Sequence, residues 1–224
     1  MKTRNVTLLI FIIVVATELF SQIFGWSTTH MIVKPILMPS LAAYFFFSVE
    51  EKNKLAFLVV IALLLSWLGD VMLLIEDLNP MYFMLGLASF LLAHMTYVYI
   101  FTKSSEGFKP KMFTYATGFL LVMYGVLLLL LMWTGLGDLM IPVIIYTAVI
   151  MTMGVTALFR KANGASLVLI GAMLFIASDS LLALNKFYQP FESAGFWVIL
   201  TYILAQFLIV TGMISYFSPP AYKE

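Results

Sequence analysis

The sequence predicts an all-α fold, a polytopic membrane protein built as a bundle of eight transmembrane helices. Of its 224 residues, 63% are hydrophobic and only 10% are charged, whereas about 25% of the residues in a soluble domain are charged. A spanning helix needs about 20 apolar residues, so with short turns the length divides into eight spans of about 28 residues each. We therefore expect a single integral membrane domain over residues 1–224.

Long apolar runs bounded by charge, proline or glycine place the individual spans. They lie near residues 5–25, 31–48, 54–76, 81–102, 113–134, 138–160, 166–187 and 194–217. The first run has the basic lead-in of a signal peptide, but it carries Glu18 and lacks a convincing small-residue cleavage site. We interpret it as a retained helix. Short turns make sequential helices antiparallel neighbours.

The basic residues are distributed unevenly over the turns, and this predicts the orientation. Cytoplasmic loops are enriched in Lys and Arg, so we expect both termini in the cytoplasm, with the turns after spans 1, 3, 5 and 7 facing outward. In a bacterium the membrane would be the inner one. Lys34 and Lys186 lie toward the outward side. The ten residues on the other side are Lys2, Arg4, Lys52, Lys54, Lys103, Lys109, Lys111, Arg160, Lys161 and Lys223.

The second half of the chain weakly repeats the first at offsets of 107 to 112 positions. The matching positions are Gly69, Asp70 and Leu73 with Ser178, Asp179 and Leu182, then Ala93 and His94 with Ala205 and Gln206, then Pro35 with Pro142. The pattern predicts two parallel four-helix repeats. The alternative is chance similarity between apolar helices.

Composition also excludes several classes of site and partner. The absence of cysteine excludes disulfides, thiolate nucleophiles and Cys-ligated metals. Twelve basic and eleven acidic residues leave no basic field to attract nucleic acid. The sequence has two histidines, with His30 at an interface, which are too few for a three-histidine metal site. Phosphate-loop, zinc-protease and nucleophile-elbow motifs are also missing.

Five ionisable side chains fall inside the predicted spans, where each costs about 2.5–3.5 kcal/mol at the bilayer centre and usually marks function. A rise of about 1.5 Å per residue puts four of them within about 10 Å of the outward face and His94 about 20 Å below it. Side chains that form one site must lie at a similar depth in the membrane. The four are Glu18, Lys34, Asp70 and Asp179.

Asp70 and Asp179 form a candidate general acid–base pair. Two carboxyl groups at one depth in a low-dielectric setting divide into a protonated and an ionised partner, because desolvation and like charge oppose two ionised groups. That leaves an acid beside a base. The alternative is that lysines neutralise them, as Lys186 would neutralise Asp179 from two helical turns away, or that they cap broken helices.

Lys34, His94, Lys186 and Glu18 are candidate substrate-binding residues. Lys34, loosened by the following Pro35, either contacts a phosphate or snorkels to the interface. His94 either shares a proton with an aspartate or hydrogen-bonds a neighbouring helix. For Glu18, with Gln22 one turn on, we favour interhelical hydrogen bonding over catalysis.

Four short motifs follow one another from span 2 to span 7. They are Lys34-Pro35-Ile36-Leu37, then Ser66-Trp67-Leu68-Gly69-Asp70, then Gly86-Leu87 with Phe90 and Ala93-His94, then Gly171-Ala172 through Phe175 to Ser178-Asp179-Ser180-Leu181-Leu182-Ala183. This series resembles the YhhN family of lysoplasmalogenases. The resemblance implies eight transmembrane helices, no metal or organic cofactor, and essential aspartates at Asp70 and Asp179. It also implies hydrolysis of the vinyl ether bond of lysoplasmalogen, giving a fatty aldehyde and a glycerophospho-choline or glycerophospho-ethanolamine.

Vinyl ether hydrolysis suits a pair of unlike carboxyl groups. An acid protonates the β-carbon, water captures the oxocarbenium ion, and the hemiacetal collapses to aldehyde and alcohol. Glycosidases place an acid and a carboxylate around a similar transition state. We expect one aspartate to donate the proton while the other stabilises the cation and activates water. The lysophospholipid headgroup would lie at the outward mouth near Lys34, Lys186, Glu76 and Asp77, with membrane lipid around the protein.

A proton-coupled lipid or small-molecule transporter is the alternative function, since intramembrane acids and four-helix repeats serve transport equally well. A di-aspartyl protease is disfavoured, because Trp67 occupies the first glycine position of its Gly-x-Gly-Asp signature.

Overall fold

A computed structural model describes residues 3–107 and 111–218, and these residues form eight long helices without a strand. Each helix is long and apolar enough to cross a membrane. The predicted all-α polytopic bundle is thereby confirmed. The helices are α1 Thr3–Phe24, α2 Ser27–Ser48, α3 Lys54–Leu74, α4 Pro80–Lys103, α5 Met112–Met132, α6 Met140–Phe159, α7 Ala165–Phe187 and α8 Ala194–Phe217.

The largest boundary error concerns α2, which was predicted to begin at residue 31 and begins at Ser27. The His30 amide donates to the Trp26 carbonyl, so the helix is already formed at His30. His30 therefore belongs to the first turn of α2, where it packs against α1, and not to the interfacial turn. Apolarity did not reveal this turn because its residues Ser27, Thr28, Thr29 and His30 are all polar.

The turns lie at two ends of the bundle. The end that holds the α1–α2, α3–α4, α5–α6 and α7–α8 turns is here named the mouth end, and the opposite end the terminal end. The described basic residues Arg4, Lys52, Lys54, Lys103, Lys111, Arg160 and Lys161 all lie at the terminal end. Lys2, Lys109 and Lys223, which entered the prediction of orientation, lie outside the described residues. The cytoplasmic placement of the terminal end stays a prediction.

Seven helices form a ring around the core, in the order α1, α2, α3, α4, α6, α7 and α8. Helix α8 closes the ring by packing on α1 and also contacts α2. Helix α5 lies outside the ring, packs mainly on α6, and leaves most of its side chains exposed. The ring encloses the faces of α3 and α7 that carry Asp70 and Asp179.

Glycines bring the site-bearing helices into close contact. Gly69 of α3 lies under the Phe90 ring of α4, where an added Cβ would come within 2.6 Å of the ring. Gly171 of α7 similarly packs against the Ala205 carbonyl of α8, at 2.7 Å from the Cβ position. Small residues let membrane helices approach closely and gain van der Waals contact. Gly69 lies next to Asp70, whereas Gly171 lies about two helical turns from Asp179 on the terminal side.

Two prolines in α2 leave a backbone carbonyl free to accept a hydrogen bond from α3. Pro39 has no N–H, so it cannot donate to the Pro35 carbonyl one turn earlier. The Trp67 indole of α3 donates to that carbonyl at 2.9 Å instead. In an apolar medium a freed carbonyl needs such a partner. The bond fixes α2 against α3 and holds Lys34, next to Pro35, beside the helix that carries Asp70.

The terminal half of the interior is densely packed. Tyr97, Phe101 and Phe45 are among the largest fully buried side chains there. Arg160, at the end of α6, is buried and donates from Nε to Ser104 Oγ at 2.8 Å. Burial lowers the pKa of Arg160 to about 10, so the guanidinium stays charged at neutral pH.

Candidate active site

Asp70 and Asp179 line one cavity of about 140 Å³ in the mouth half of the bundle. We name it the polar cavity. The structure thus brings together the two side chains that the sequence selected as a catalytic pair, although they are 109 positions apart. The remaining lining residues are Lys34, Leu73, Glu76, Phe90, Ser178, Leu182, Val198, Ile199 and Tyr202.

Asp70 is almost fully buried and receives one hydrogen bond from α8. Tyr202 Oη donates to Asp70 Oδ2 at 2.7 Å. Lys34 is the positive charge that acts most strongly on this carboxyl, and Glu18 and His30 are also within electrostatic range. Asp70 therefore faces a polar side of the interior, with a lysine close by.

One turn below Asp70, Gln206 of α8 connects three helices. Gln206 Nε2 donates to Ser66 Oγ at 2.9 Å, and Tyr97 Oη donates to Gln206 Oε1 at 2.7 Å. All three side chains are fully buried. Because buried polar groups are stable only when they are hydrogen-bonded, this network fixes α3, α4 and α8 relative to one another beneath the site.

Asp179 has different partners. Tyr146 Oη of α6 donates to Asp179 Oδ2 at 2.5 Å, and His94 Nε2 of α4 lies 3.3 Å from the same oxygen and 3.0 Å from Tyr146 Oη. His94 is fully buried, with Phe175 edge-on against its ring at 4.6 Å between centroids. His94 Nδ1 has no hydrogen-bond partner among the described residues. His94 thus contacts both an aspartate and a neighbouring helix.

Lys186 does not neutralise Asp179, and that alternative was wrong. Its ammonium pairs with Glu76 at 2.9 Å and lies 4.1 Å from the centre of the Phe83 ring. No lysine or arginine of the described residues lies within salt-bridge distance of Asp70 or Asp179. Each carboxyl group instead accepts a hydrogen bond from a tyrosine hydroxyl.

A second cavity, the apolar crevice, meets the polar cavity at Asp179. It runs between α4, α5, α6 and α7 and has a volume of about 70 Å³. Both cavities share Leu73, Phe90, Asp179 and Leu182, whereas Asp70 lines only the polar cavity of these two. The other crevice residues are Phe83, Leu87, Met132, Val143, Tyr146, Thr147, Ile150, Met151, Ile176, Ser180, Ala183, Lys186 and Phe187.

A third cavity, the vestibule, has a volume of about 420 Å³ and lies between α1, α2, α7 and α8 at the mouth end. It joins the polar cavity through Lys34, Leu182, Val198 and Ile199, which line both. The remaining lining residues are Ser21, Gln22, Gly25, Trp26, Ser27, His30, Asn185, Ala194 and Gly195.

Glu18 lies behind the vestibule wall and is fully buried. Its Oε1 is 2.6 Å from His30 Nδ1 of α2 and 3.3 Å from Gln22 Nε2. The predicted interhelical hydrogen bonding of Glu18 is therefore confirmed. Glu18 itself lines none of the three cavities just described.

Tyr146, Tyr202 and His30 lie at the site, although the sequence did not identify them as candidate site residues. The tyrosines had a detectable signal, since both lie within the helical spans, where a phenol O–H needs a partner. The depth assigned to His94 also separated it wrongly from Asp179. Counting residues along a helix measures distance from that helix's own end, so it does not compare depths between two helices.

Among the described residues, no group of three or more His, Asp or Glu side chains is arranged to hold a metal ion. The polar groups that the structure does place at the two aspartates are the phenols of Tyr202 and Tyr146 and the imidazole of His94.

Comparison with known proteins identifies the family. The model of the YhhN family matches residues 29–213. This range includes both aspartates and every residue that two of the three cavities share. The chain belongs to the YhhN family. No solved structure matches it.

Curated relatives of this YhhN protein carry the name lysoplasmalogenase. Lysoplasmalogenase TMEM86B of Sus scrofa is 34% identical over 148 residues, which are 66% of this chain and 59% of that protein. The human TMEM86B protein is 34% identical over 151 residues. Lysoplasmalogenase of Mycobacterium bovis is 31% identical over 156 residues, which are 69% of this chain and 59% of the relative. The chain thus spans less than two thirds of the length of these relatives.

Proposed function

We propose that this YhhN-family protein is a lysoplasmalogenase-like hydrolase that cleaves the vinyl ether bond of a lysoplasmalogen within the membrane. One observation carries the proposal: two aspartates within the helical spans line one cavity, and an apolar crevice meets that cavity at Asp179. A lipid with a single hydrocarbon chain and a polar head has the matching shape. The names of the relatives support the same reaction class.

The alkenyl chain lies in the apolar crevice in this proposal, and the glycerol backbone lies in the polar cavity. The crevice is narrow, and Met132 and Met151 line it. Methionine side chains are flexible and fill irregular space, so they move aside when the chain binds. The vinyl ether, which joins chain to glycerol, then lies at the junction of the two cavities, next to Asp179.

Asp179 is the acid and Asp70 the base. Lys34 acts electrostatically on Asp70 and favours its ionised form, because opposite charge stabilises a carboxylate. Asp179 borders the apolar crevice and shares the polar cavity with the negative Asp70. Like charge and an apolar surround favour the protonated carboxyl there.

The reaction then proceeds with one water consumed. Asp179 transfers its proton to the β-carbon of the vinyl ether, and the double-bond electrons form the new C–H bond and leave an oxocarbenium ion. Asp70 stabilises this cation and takes a proton from the water that attacks the α-carbon. As the hemiacetal collapses to the aldehyde, Asp70 gives its proton to the departing glycerol oxygen and Asp179 takes the proton of the hemiacetal hydroxyl. Both carboxyl groups thereby regain their starting protonation states, while the proton first given by Asp179 stays on the β-carbon.

His94 and Tyr146 are positioning residues for Asp179 in this mechanism. Both contact Oδ2, so they direct Oδ1 toward the substrate. Lys34 contacts the phosphate from the polar cavity. Lys186, at the mouth of the crevice, contacts the lipid as it enters, and Glu18 acts through His30. The reaction needs neither a metal nor an organic cofactor, and the mouth end faces outward as the basic residues predict.

The test is aldehyde release from synthetic lysoplasmalogen by the purified protein in detergent. In D₂O the released aldehyde, trapped by reduction, should carry one deuterium on the carbon next to the carbonyl, because protonation occurs at the β-carbon. Asp138→Asn, at an exposed mouth-end aspartate, is the matched control for Asp70→Asn and Asp179→Asn. Full turnover in both site variants rejects the mechanism. Lipid transport without cleavage would establish the transporter instead.

A further inference from the structure

Two basic side chains line the vestibule, and the proposed reaction uses only one of them. His30 and Lys34 lie one helical turn apart on α2, and residues four apart share a helix face. Lys34 also lines the polar cavity that holds both aspartates. His30 lies on the mouth side of Lys34, so an imidazole and an ammonium follow one another along the vestibule wall toward the site.

The imidazole of His30 is held from behind by a buried carboxylate. Glu18 is fully buried and its Oε1 is 2.6 Å from His30 Nδ1, while His30 is about a quarter exposed, at 24%. Burial of a carboxylate is costly unless it is paired and hydrogen-bonded. The contacts with Glu18 and Gln22 both use Nδ1, so Nε2 is the ring nitrogen left for a ligand.

A further cavity opens at the mouth end beside Lys186, and its charged side chains are mainly acidic. It is lined by Glu76, Asp77 and Asp138 against the single cation Lys186, which already pairs with Glu76. In the part of the chain that the structure describes, the vestibule lining contains no carboxylate, so a phosphate group meets less repulsion there than at this opening. The vestibule also offers neutral polar groups from Gln22 and Asn185, and the Trp26 ring as a surface for a quaternary ammonium.

We propose that the vestibule is the headgroup subsite, in which His30 Nε2 and the Lys34 ammonium bind the phosphodiester of the lysophospholipid and Glu18 orients His30. This rests on the proposed function, since it names where the head of that substrate binds. The glycerol then reaches the aspartates past Lys34, and the chain continues past Asp179 into the apolar crevice.

The wild-type protein provides a direct test through histidine modification. The sequence has two histidines, and His94 is fully buried, so diethylpyrocarbonate should label His30, detected by peptide mass. Saturating ester-linked 1-palmitoyl-lysophosphatidylcholine should slow this labelling about tenfold. The matched probe 1-palmitoylglycerol, which has the chain and glycerol without the phosphodiester, should change the rate by less than about twofold.

Equal labelling with both lipids overturns the headgroup subsite. Equal protection by inorganic phosphate at the same concentration also overturns it, because the site would then bind free phosphate and not the lipid head. Aldehyde release without protection rejects this subsite and leaves the hydrolase intact. Protection without aldehyde release retains the subsite and rejects the proposed reaction.

Kinetics on variants give a second, independent reading. His30→Gln should raise KM for lysoplasmalogen about tenfold and leave kcat within about twofold, since a lost phosphate contact weakens binding without touching the reacting atoms. Thr28→Val, an exposed position in the same turn of α2, is the control. A larger KM effect from Lys186→Gln than from His30→Gln moves the headgroup to the other opening and overturns the assignment.

Discussion

Asp70 and Asp179 are the same residue at matching positions in the two halves of the chain, yet their surroundings differ. Asp70 receives a hydrogen bond from Tyr202 and lies under the influence of Lys34, close to the polar vestibule. Asp179 receives its hydrogen bond from Tyr146, contacts His94, and borders the apolar crevice. The bundle thus gives two identical carboxyl groups different environments, because different helices surround them.

The difference follows from the ring of helices. Helices α2 and α8 supply the polar neighbours of Asp70, whereas α4 and α6 supply those of Asp179. A general acid and a general base need unlike environments to hold different protonation states. Strict symmetry between two repeats would give both aspartates the same environment and remove this division of roles. The predicted repeat itself stays a prediction.

The largest expected effect comes from neutralising the two aspartates. Asp179→Asn should lower kcat for aldehyde release by about a thousandfold or more, because the proton donor is lost. Asp70→Asn should lower it by about a hundredfold, because the remaining amide still orients water but accepts no proton. Initial rates on protein that elutes as a single species in detergent measure both. If Asp70→Asn proves the more damaging, the acid and base are assigned the wrong way round.

Removing the hydroxyl group of one tyrosine at a time tests the environments of the two aspartates separately. Tyr202→Phe deletes a hydrogen bond to the proposed ionised carboxyl of Asp70, worth about 1.5–3 kcal/mol, and should lower kcat about tenfold to a hundredfold. Tyr146→Phe deletes a hydrogen bond to the proposed protonated carboxyl of Asp179, worth about 0.5–1.5 kcal/mol, and should lower kcat about twofold to tenfold. Both variants should leave KM nearly unchanged. Tyr115→Phe, an exposed tyrosine of α5, is the control. A rise in KM at constant kcat would mean that these hydroxyls bind substrate instead of holding the aspartates.

The proposed binding of the alkenyl chain in the apolar crevice can be tested by filling the crevice with a larger side chain. Thr147 of α6 lines it, so Thr147→Phe should raise KM for a long alkenyl chain about tenfold, since each buried CH₂ contributes about 0.8 kcal/mol. A short-chain substrate should be affected much less. Thr152→Phe, exposed on the same helix, is the control. Equal effects on long and short chains would place the chain elsewhere.

The smallest effect is expected at the mouth of the crevice. Lys186 and Glu76 are each about a third exposed, at 32%, and exposed ion pairs contribute roughly 0–1 kcal/mol. Lys186→Gln should therefore change the free energy of unfolding by less than about 1 kcal/mol and KM by less than about threefold. Thermal unfolding in detergent and steady-state kinetics measure these. A large loss of activity would give this end of the crevice a binding role equal to that of the vestibule.

Much of the fold was predictable because lipid imposes strict rules. Backbone groups in a bilayer must be hydrogen-bonded within the chain, so apolar runs of about 20 residues are helices. Ionised groups within them are costly, which singled out Asp70 and Asp179 before any contact was known. The start of α2 escaped the same reasoning because its first turn is polar. In the structure that turn lies against α1, where His30 contacts Glu18.

The amino-acid sequence was enough to establish that this chain has eight helices able to span a membrane and that three acids, Glu18, Asp70 and Asp179, lie within them. Those conclusions rest on transfer free energies, which depend on composition along one segment at a time. Only the tertiary structure decided which tyrosine holds which aspartate, that His94 reaches Asp179, and that Glu18 holds His30 at the vestibule. Such pairings depend on how helices are offset and rotated against one another, and packing across the whole ring fixes those quantities.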